Sequence, residues 1–406
     1  MGARDDQAGG TTAEAAQQLS GIGLYIHVPY CRHACPYCDF YKVELGSRPA
    51  GDRLAFPRRI ARELELALER WPTLAGRPLD TIYLGGGTPS TLKPESVAVM
   101  LTALRGHFPP GDPEVTLEAN PENLTPRRCE QWREAGINRL SMGVQSFAEE
   151  DLGLLERLHE PATITTAVAN ARRAGFENFS LDLMFALPGQ TLAAWLENLR
   201  RAVDLGPAHM SFYGLTWHEG TPFADWLAAG RLAEADEDLQ AAMYLEGTEL
   251  LEGAGFEHYE VSNFARPGRR SCHNQRYWRR ADVLALGPGA HGNLGDERFS
   301  NPEDLDRWGA AVDGGRLCHE GVEHLAPEGA AAERLYTLLR RREGISRAED
   351  PELFARVGAW LSADGMEASG WLEAGPERLA MRKRGWLVLD ALVERIMVFS
   401  DGRPTG

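Results

Sequence analysis

Cysteine is scarce in this chain: six in 406 residues, too few and too unevenly placed for a disulfide framework. Cys129, Cys272 and Cys318 stand alone, whereas the other three crowd between residues 31 and 38, a usage that fits a reducing, cytoplasmic setting. Long apolar runs are missing as well. None approaches the roughly eighteen residues that a membrane span needs. Positive charge is in deficit, with 43 Lys and Arg against 59 Asp and Glu and a net charge of −16, so no basic face for nucleic acid is expected. Residues 1–20 have no apolar core, do not read as a signal peptide and are expected to form a disordered lead-in. What remains, 43% hydrophobic and 25% charged, is ordinary for a globular protein, and the length suggests one large domain with a smaller one.

The densest chemistry is Cys31-Arg-His-Ala-Cys35-Pro-Tyr-Cys38, directly after the apolar run Leu24–Val28. A short loop with C-x3-C-x2-C spacing can present three thiolates to different irons of one cubane. All-cysteine clusters normally use four, and no fourth cysteine is nearby. The spacing therefore points to a [4Fe–4S] cluster with one iron open to a ligand from outside the protein. Zinc in a Cys3His site, completed by His27 or His33, is the alternative.

Apolar, β-rich runs recur at Ile22–Val28, Thr81–Leu84, Val115–Glu118, Arg139–Gln145, Phe179–Phe185 and Met210–Leu215. Helical spacing fills the gaps. Ile60, Leu64, Leu68 and Trp71 share one face, and Leu124-Thr125-Pro126 reads as a cap followed by a first-turn proline, with Gly136 past the end. Six strand–helix repeats predict a parallel sheet with crossover helices. Six units are two short of a closed eight-stranded barrel, so an open, partial (β/α)6 barrel is expected.

Polar residues sit where these strands end: Gly85-Gly86-Gly87-Thr88-Pro89, then Glu118-Ala119-Asn120-Pro121, then Gln145-Ser146, with Asp182 inside the fifth strand. The carboxyl ends of barrel strands carry active sites, so one end of the sheet is expected to hold a polar, extended ligand. The glycine run also reads as a flexible loop, and Glu118 and Gln145 as caps of neighbouring helices. A carboxylate inside an apolar strand, like Asp182, needs a partner.

These motifs, together with Tyr25-Ile-His-Val-Pro-Tyr-Cys31, Asp182-Leu-Met-Phe-Ala-Leu-Pro-Gly189, Cys272-His-Asn-Gln-Arg-Tyr-Trp278 and Gly287-Pro-Gly-Ala-His291, resemble the radical S-adenosylmethionine (SAM) superfamily, and within it the oxygen-independent coproporphyrinogen III oxidase-like group. The resemblance implies a TIM-like partial barrel and a [4Fe–4S] cluster on Cys31, Cys35 and Cys38. It implies that SAM chelates the open iron, and that an electron from the reduced cluster cleaves its sulfonium C–S bond. Gly86, Gly87 and Thr88 would receive the methionyl end. Tyr25, Glu118, Gln145, Arg157 and Asp182 would complete the pocket, with Tyr37 against cluster and adenine.

The dehydrogenases of this group carry a fourth cysteine two residues after the third, where this chain has Phe40 after Cys38-Asp39. They also have a longer segment before the first strand. Both departures resemble the HemW-type haem chaperones, implying a protein that binds haem as cargo and delivers it to apo-haem proteins, with an electron donor for the cluster. The alternative is a radical enzyme acting on a porphyrin, by coproporphyrinogen dehydrogenation or reductive haem opening. Whether SAM is turned over, and whether the chain dimerises, is left open.

The expected organisation is a core barrel over 21–216, a linker and haem- or substrate-covering region over 217–328, and a C-terminal helical, winged-helix-like domain over 329–406. In the second region, His273 with Tyr277 and Trp278 reads either as a buried structural histidine beside core aromatics or, by the resemblance, as part of a haem site; Cys272 and His291 are further ligand candidates. In the third, Leu372-Glu373 and Trp386–Leu389 are expected as short strands. The acidity of the chain argues for a docking or covering role over DNA binding.

Overall fold

A computed structural model describes residues 21–364 and 370–400. The expected lead-in, residues 1–20, lies outside the described residues, as do residues 365–369 and 401–406 of the C-terminal unit. Six parallel strands form the centre: β1 (Ile22–Val28), β2 (Leu79–Gly86), β3 (Glu114–Ala119), β4 (Arg139–Gln145), β5 (Phe179–Phe185) and β6 (His209–Gly214). They pair in sequence order, so each crossover lands beside the strand it left. In β1 the residues Ile22, Leu24, Ile26 and Val28 are fully buried on the helix-facing side. Gly23 and Tyr25 face the inner side, toward Thr81 and Tyr83 of β2.

The crossover helices begin and end as their sequences direct. Thr125 accepts from the Arg128 N–H at 3.4 Å ahead of Pro126, and Thr191 accepts from the Ala194 N–H at 3.2 Å. Gly136, past the 126–134 helix, has φ 95°, a conformation that favours glycine. The Leu192–Asp204 helix packs on Glu237–Gly253, where the Trp195 indole N–H donates to the Met243 carbonyl at 2.9 Å. A side chain at Gly247 would meet that indole nitrogen at 2.8 Å, which accounts for the glycine.

The 217–328 region joins the same sheet at both edges. β7 (Glu257–Glu260) and β8 (Asn263–Ala265) add antiparallel beyond β6. On the other side β9 (Val283–Leu286) pairs parallel with β1, followed by antiparallel β10 (His291–Leu294), β11 (Glu297–Ser300) and β12 (Glu320–His324). The full order is β12-β11-β10-β9-β1-β2-β3-β4-β5-β6-β8-β7. The seventh parallel strand, β9, was not foreseen: a four-residue apolar run is too short to show a period.

The C-terminal unit combines helices Pro327–Leu339, Pro351–Asp364 and Leu389–Ser400 with a small antiparallel sheet of Ile345–Ser346, Leu372–Ala374 and Arg378–Met381. The strand expected at Trp386–Leu389 is instead a helical turn, Lys383–Trp386, leading into the last helix. Trp386 buries its ring and donates its indole N–H to the Leu339 carbonyl at 2.8 Å, a contact that a helical turn allows.

Candidate functional site

The carboxyl ends of β1–β6 surround a cavity of about 460 Å³. Cys31, Cys35 and Cys38 line its mouth, and Gly86, Gly87, Thr88, Glu118, Gln145, Arg157, Asp182 and Tyr37 all contribute to its wall. The cysteine loop is braced from outside by Glu44, which accepts from the Ala34 N–H at 2.9 Å, and from within by the Cys38 N–H donating to the Cys35 carbonyl at 3.3 Å. Burial pushes the Cys31 thiol up to about 11 and raises Cys38 as well. Thiolates at these positions therefore need a bound cation, and loading must release protons.

The donor set decides which metal fits. Among the described residues no three His, Cys, Asp or Glu side chains gather closely enough to share a single ion. The histidines that would complete a zinc site are engaged elsewhere. His27 is 3% exposed, with Nε2 2.8 Å from the Tyr41 carbonyl and Nδ1 3.2 Å from the Tyr25 hydroxyl. His33 faces Glu156 at 2.9 Å and Glu44 at 3.6 Å. Three spread thiols suit a cluster in which each takes its own iron.

The glycine-rich loop turns out to be held by the protein itself. The Gly86 N–H donates to Glu118 at 3.1 Å, Gly87 N–H to the Val28 carbonyl at 2.9 Å, and Thr88 N–H to the Tyr30 carbonyl at 2.9 Å. The Gly87 and Thr88 amides dock the loop onto β1 and its continuation and the Gly86 amide onto β3, so none of the three is a free donor for the methionyl end that Gly86, Gly87 and Thr88 are expected to receive. Close approach is what requires the glycines. A Cβ at Gly87 would lie 2.8 Å from the Pro29 backbone, and at Gly86 (φ 102°) 2.6 Å from the His27 ring.

Glu118 caps no helix. One oxygen accepts from the Tyr83 hydroxyl at 2.8 Å, the other from Gly86, and burial raises its carboxyl to about 7. Asp182 accepts from Ser141 at 2.8 Å on one oxygen and Ser180 at 2.9 Å on the other, which answers the need for a partner; burial still raises its pKa. Gln145 has φ 64° at the end of β4, a strained backbone for a non-glycine residue that turns its side chain toward the cavity. Arg157 lies at the seam between loop and barrel. It donates to Asn120 at 2.7 Å and the Gly143 carbonyl at 2.9 Å, and reaches Cys35 Sγ at 3.6 Å and the Tyr37 hydroxyl at 3.5 Å.

The sequence candidates Tyr25, His273, Cys272 and His291 stand outside the lining. Tyr25 stacks on Tyr83 and His273, with centroids 6.2 and 6.3 Å away. His273 is buried beneath the floor, 4.9 Å from the Tyr83 ring, with Nδ1 2.8 Å from the Thr81 hydroxyl. Burial lowers its pKa to about 3, and Nε2 has no hydrogen-bond partner. Its helix, Cys272–Trp278, starts on Glu114, which accepts from the Cys272 and His273 amides at 3.2 and 3.1 Å.

Sequence reasoning missed Tyr83, Arg139, Ser141, Ser211, Tyr213 and Asn274, all of which line the cavity. A signal was available for the strand residues: polar side chains recur on one face of β4, at Arg139, Ser141 and, past Gly143, Gln145, and at every second position of β6, through His209, Ser211 and Tyr213. Nothing in the sequence placed Asn274 there.

The Radical SAM superfamily profile matches residues 25–202. The heme chaperone HemW of Mycobacterium tuberculosis (strain ATCC 25618 / H37Rv) is 35% identical over 382 residues, covering 93% of this chain and 95% of that protein. That of Bacillus subtilis (strain 168) is 34% identical, with 82% and 86% covered. Among solved structures, coproporphyrinogen III oxidase (HemN) from Escherichia coli superposes with a TM-score of 0.78 over 95% of this chain and 92% of its own, at 22% identity, a likeness of fold. On the strength of near-full-length identity to these relatives, the chain belongs to the HemW heme chaperone family within the radical SAM superfamily.

Proposed function

We propose that this protein is a haem chaperone that binds haem, a [4Fe–4S] cluster and SAM, and passes haem to apo-haem proteins. The observation that carries the reading is the 35% identity to a heme chaperone over nearly the whole of both chains. Cys38-Asp39-Phe40 supports it, because Phe40 is 61% exposed where a dehydrogenase would place a further cysteine. Cys31, Cys35 and Cys38 would hold the cluster. The cluster, when bound and reduced by a donor protein, supplies an electron and an open iron. Arg157 keeps the loop against β3 and β4, Glu118 and Asp182 offer buried acceptors to ribose hydroxyls or the sulfonium charge, and Tyr37 closes the mouth. A cytoplasmic location fits the reduced thiols. Among the described residues no helix is long and apolar enough to cross a membrane.

Reconstituted protein incubated with coproporphyrinogen III, SAM and reductant should yield no protoporphyrinogen, while haem-loaded protein should transfer haem to an apo-haem protein. Formation of protoporphyrinogen overturns the chaperone reading in favour of a porphyrin-directed radical enzyme.

For haem itself, His273 is the proposed imidazole, supported by its unpartnered Nε2. His273 is 1% exposed, so the packing around that nitrogen must open before iron reaches it. A haem absorption band unchanged in His273→Ala would place the ligand elsewhere, with Cys272→Ala as the next variant to measure.

A further inference from the structure

Beneath the cavity, a chain of four buried hydrogen bonds leaves Asp182 and runs out of the barrel. The Ser180 hydroxyl lies 2.9 Å from Asp182 Oδ1 and 2.9 Å from His209 Nδ1. His209 Nε2 is 2.7 Å from the Tyr259 hydroxyl, which sits 3.3 Å from the Ser271 backbone nitrogen. Ser180, His209, Tyr259 and Ser271 are each 2% exposed or less.

The direction of the protons follows from the ends. The Ser271 N–H can only donate, so the Tyr259 oxygen accepts it. The Tyr259 O–H then has His209 Nε2 as its acceptor, which puts the ring proton on Nδ1. That N–H donates to Ser180, and the Ser180 O–H is left for the carboxylate. With this arrangement no donor in the chain is idle, and every bond polarises the next toward Asp182. Ser271 also caps the Cys272–Trp278 helix by accepting from the Asn274 N–H at 3.3 Å.

We propose that His209 and Tyr259 are positioning residues for Asp182, holding its carboxylate through Ser180 from an anchor at the start of the Cys272–Trp278 helix. The role rests on the reading that Asp182 contacts SAM. Neither residue touches the cavity, so each acts on the ligand only through the chain.

A double-mutant cycle on the cluster-loaded protein tests this, with SAM affinity read by calorimetry. Ser180→Ala should weaken SAM roughly tenfold by removing a bond to a charged group. Tyr259→Phe, which keeps the ring, should weaken it about threefold with cluster content unchanged. Combining the two should be no worse than Ser180→Ala alone, because the chain is already cut. A merely structural Tyr259 would weaken binding equally in both backgrounds, and that additivity, or no effect of Tyr259→Phe, overturns the proposal. If Tyr259→Phe fails to fold, His209→Asn replaces it: it keeps a donor beside Ser180, ends the chain short of Tyr259, and should show the same threefold loss. Asp182→Ala separates the two ideas. Unchanged SAM affinity there overturns the cavity assignment together with the chain; a loss there without one in Tyr259→Phe overturns the chain alone.

Discussion

The cavity and the Cys272–Trp278 helix carry equally sharp motifs and are built in opposite ways. Around the cavity, charged and polar groups converge on open space, and Glu118, Gln145 and Asp182 keep an edge toward it. In the helix nearly every polar group is turned onto the protein. Arg276 is fully buried, donating to Asp80 and the Gly21 carbonyl at 2.7 Å each and to the Asp282 carbonyl at 3.0 Å. The helix therefore fastens β1, β2 and the approach to β9 together at the barrel floor. A motif rich in His, Arg, Tyr and Trp can thus be mostly scaffold, with two buried unpartnered atoms, His273 Nε2 and Trp278 Nε1, of which only the imidazole nitrogen can ligate a metal.

The comparison breaks most visibly at the cysteines. Anaerobically reconstituted protein should hold about four irons per chain. Alanine at Cys31, Cys35 or Cys38 should abolish the cluster, whereas Cys129→Ala, in the core away from the cavity, should retain it; iron loss in Cys129→Ala would count against the loop as the sole ligand source.

On the helix side, Arg276→Met takes the buried cation from Asp80, which keeps only the Gly21 N–H at 2.9 Å, while the Gly21 and Asp282 carbonyls retain Arg77 and the Gly23 N–H as donors. Breaking a buried pair this way costs about 3–5 kcal/mol, read as a fall in the urea midpoint. An unchanged midpoint would mean that the helix is not the fastening described here.

On the cavity side, Asp182→Ala should weaken SAM binding by about 1.5–3 kcal/mol while leaving the urea midpoint nearer that of wild type. Gly87→Val is a poor probe of the same site, because its side chain meets the Pro29 backbone before any ligand.

The smallest effect concerns pH. The folded pKa of His273, about 3, lies below that of the unfolded chain, so below the unfolded value only the unfolded state takes up the proton. Its contribution is intact above roughly pH 6.5 and is lost as pH falls from there toward 3, by about 1.4 kcal/mol at pH 5.5. His273→Gln should show a shallower acid slope than wild type; equal slopes would mean the imidazole is not held neutral.

The strands that carry the cavity were legible because parallel-sheet strands are buried on the helix side and their apolar runs stand out: β1, β4 and β5 fall where the residues indicate. The interior face was harder to read. Arg139 and Ser141 look like ordinary polar interruptions until the barrel turns them inward, and the amides of the glycine loop are taken up by Val28, Tyr30 and Glu118.

By itself the sequence determined the partial barrel, the three-cysteine loop without a fourth partner and the polar strand ends, because alternation, helical period and ligand spacing are local properties of the chain. Only the tertiary structure decided that His27 and His33 are engaged away from the thiols, that His273 lies under the floor against Tyr83, and that Asp182 is tied through Ser180 and His209 to Tyr259. Apart from the local Ser180–Asp182 bond, those outcomes depend on contacts between residues from 14 to well over a hundred positions apart in the chain, where burial makes each polar group take whatever partner the fold brings near.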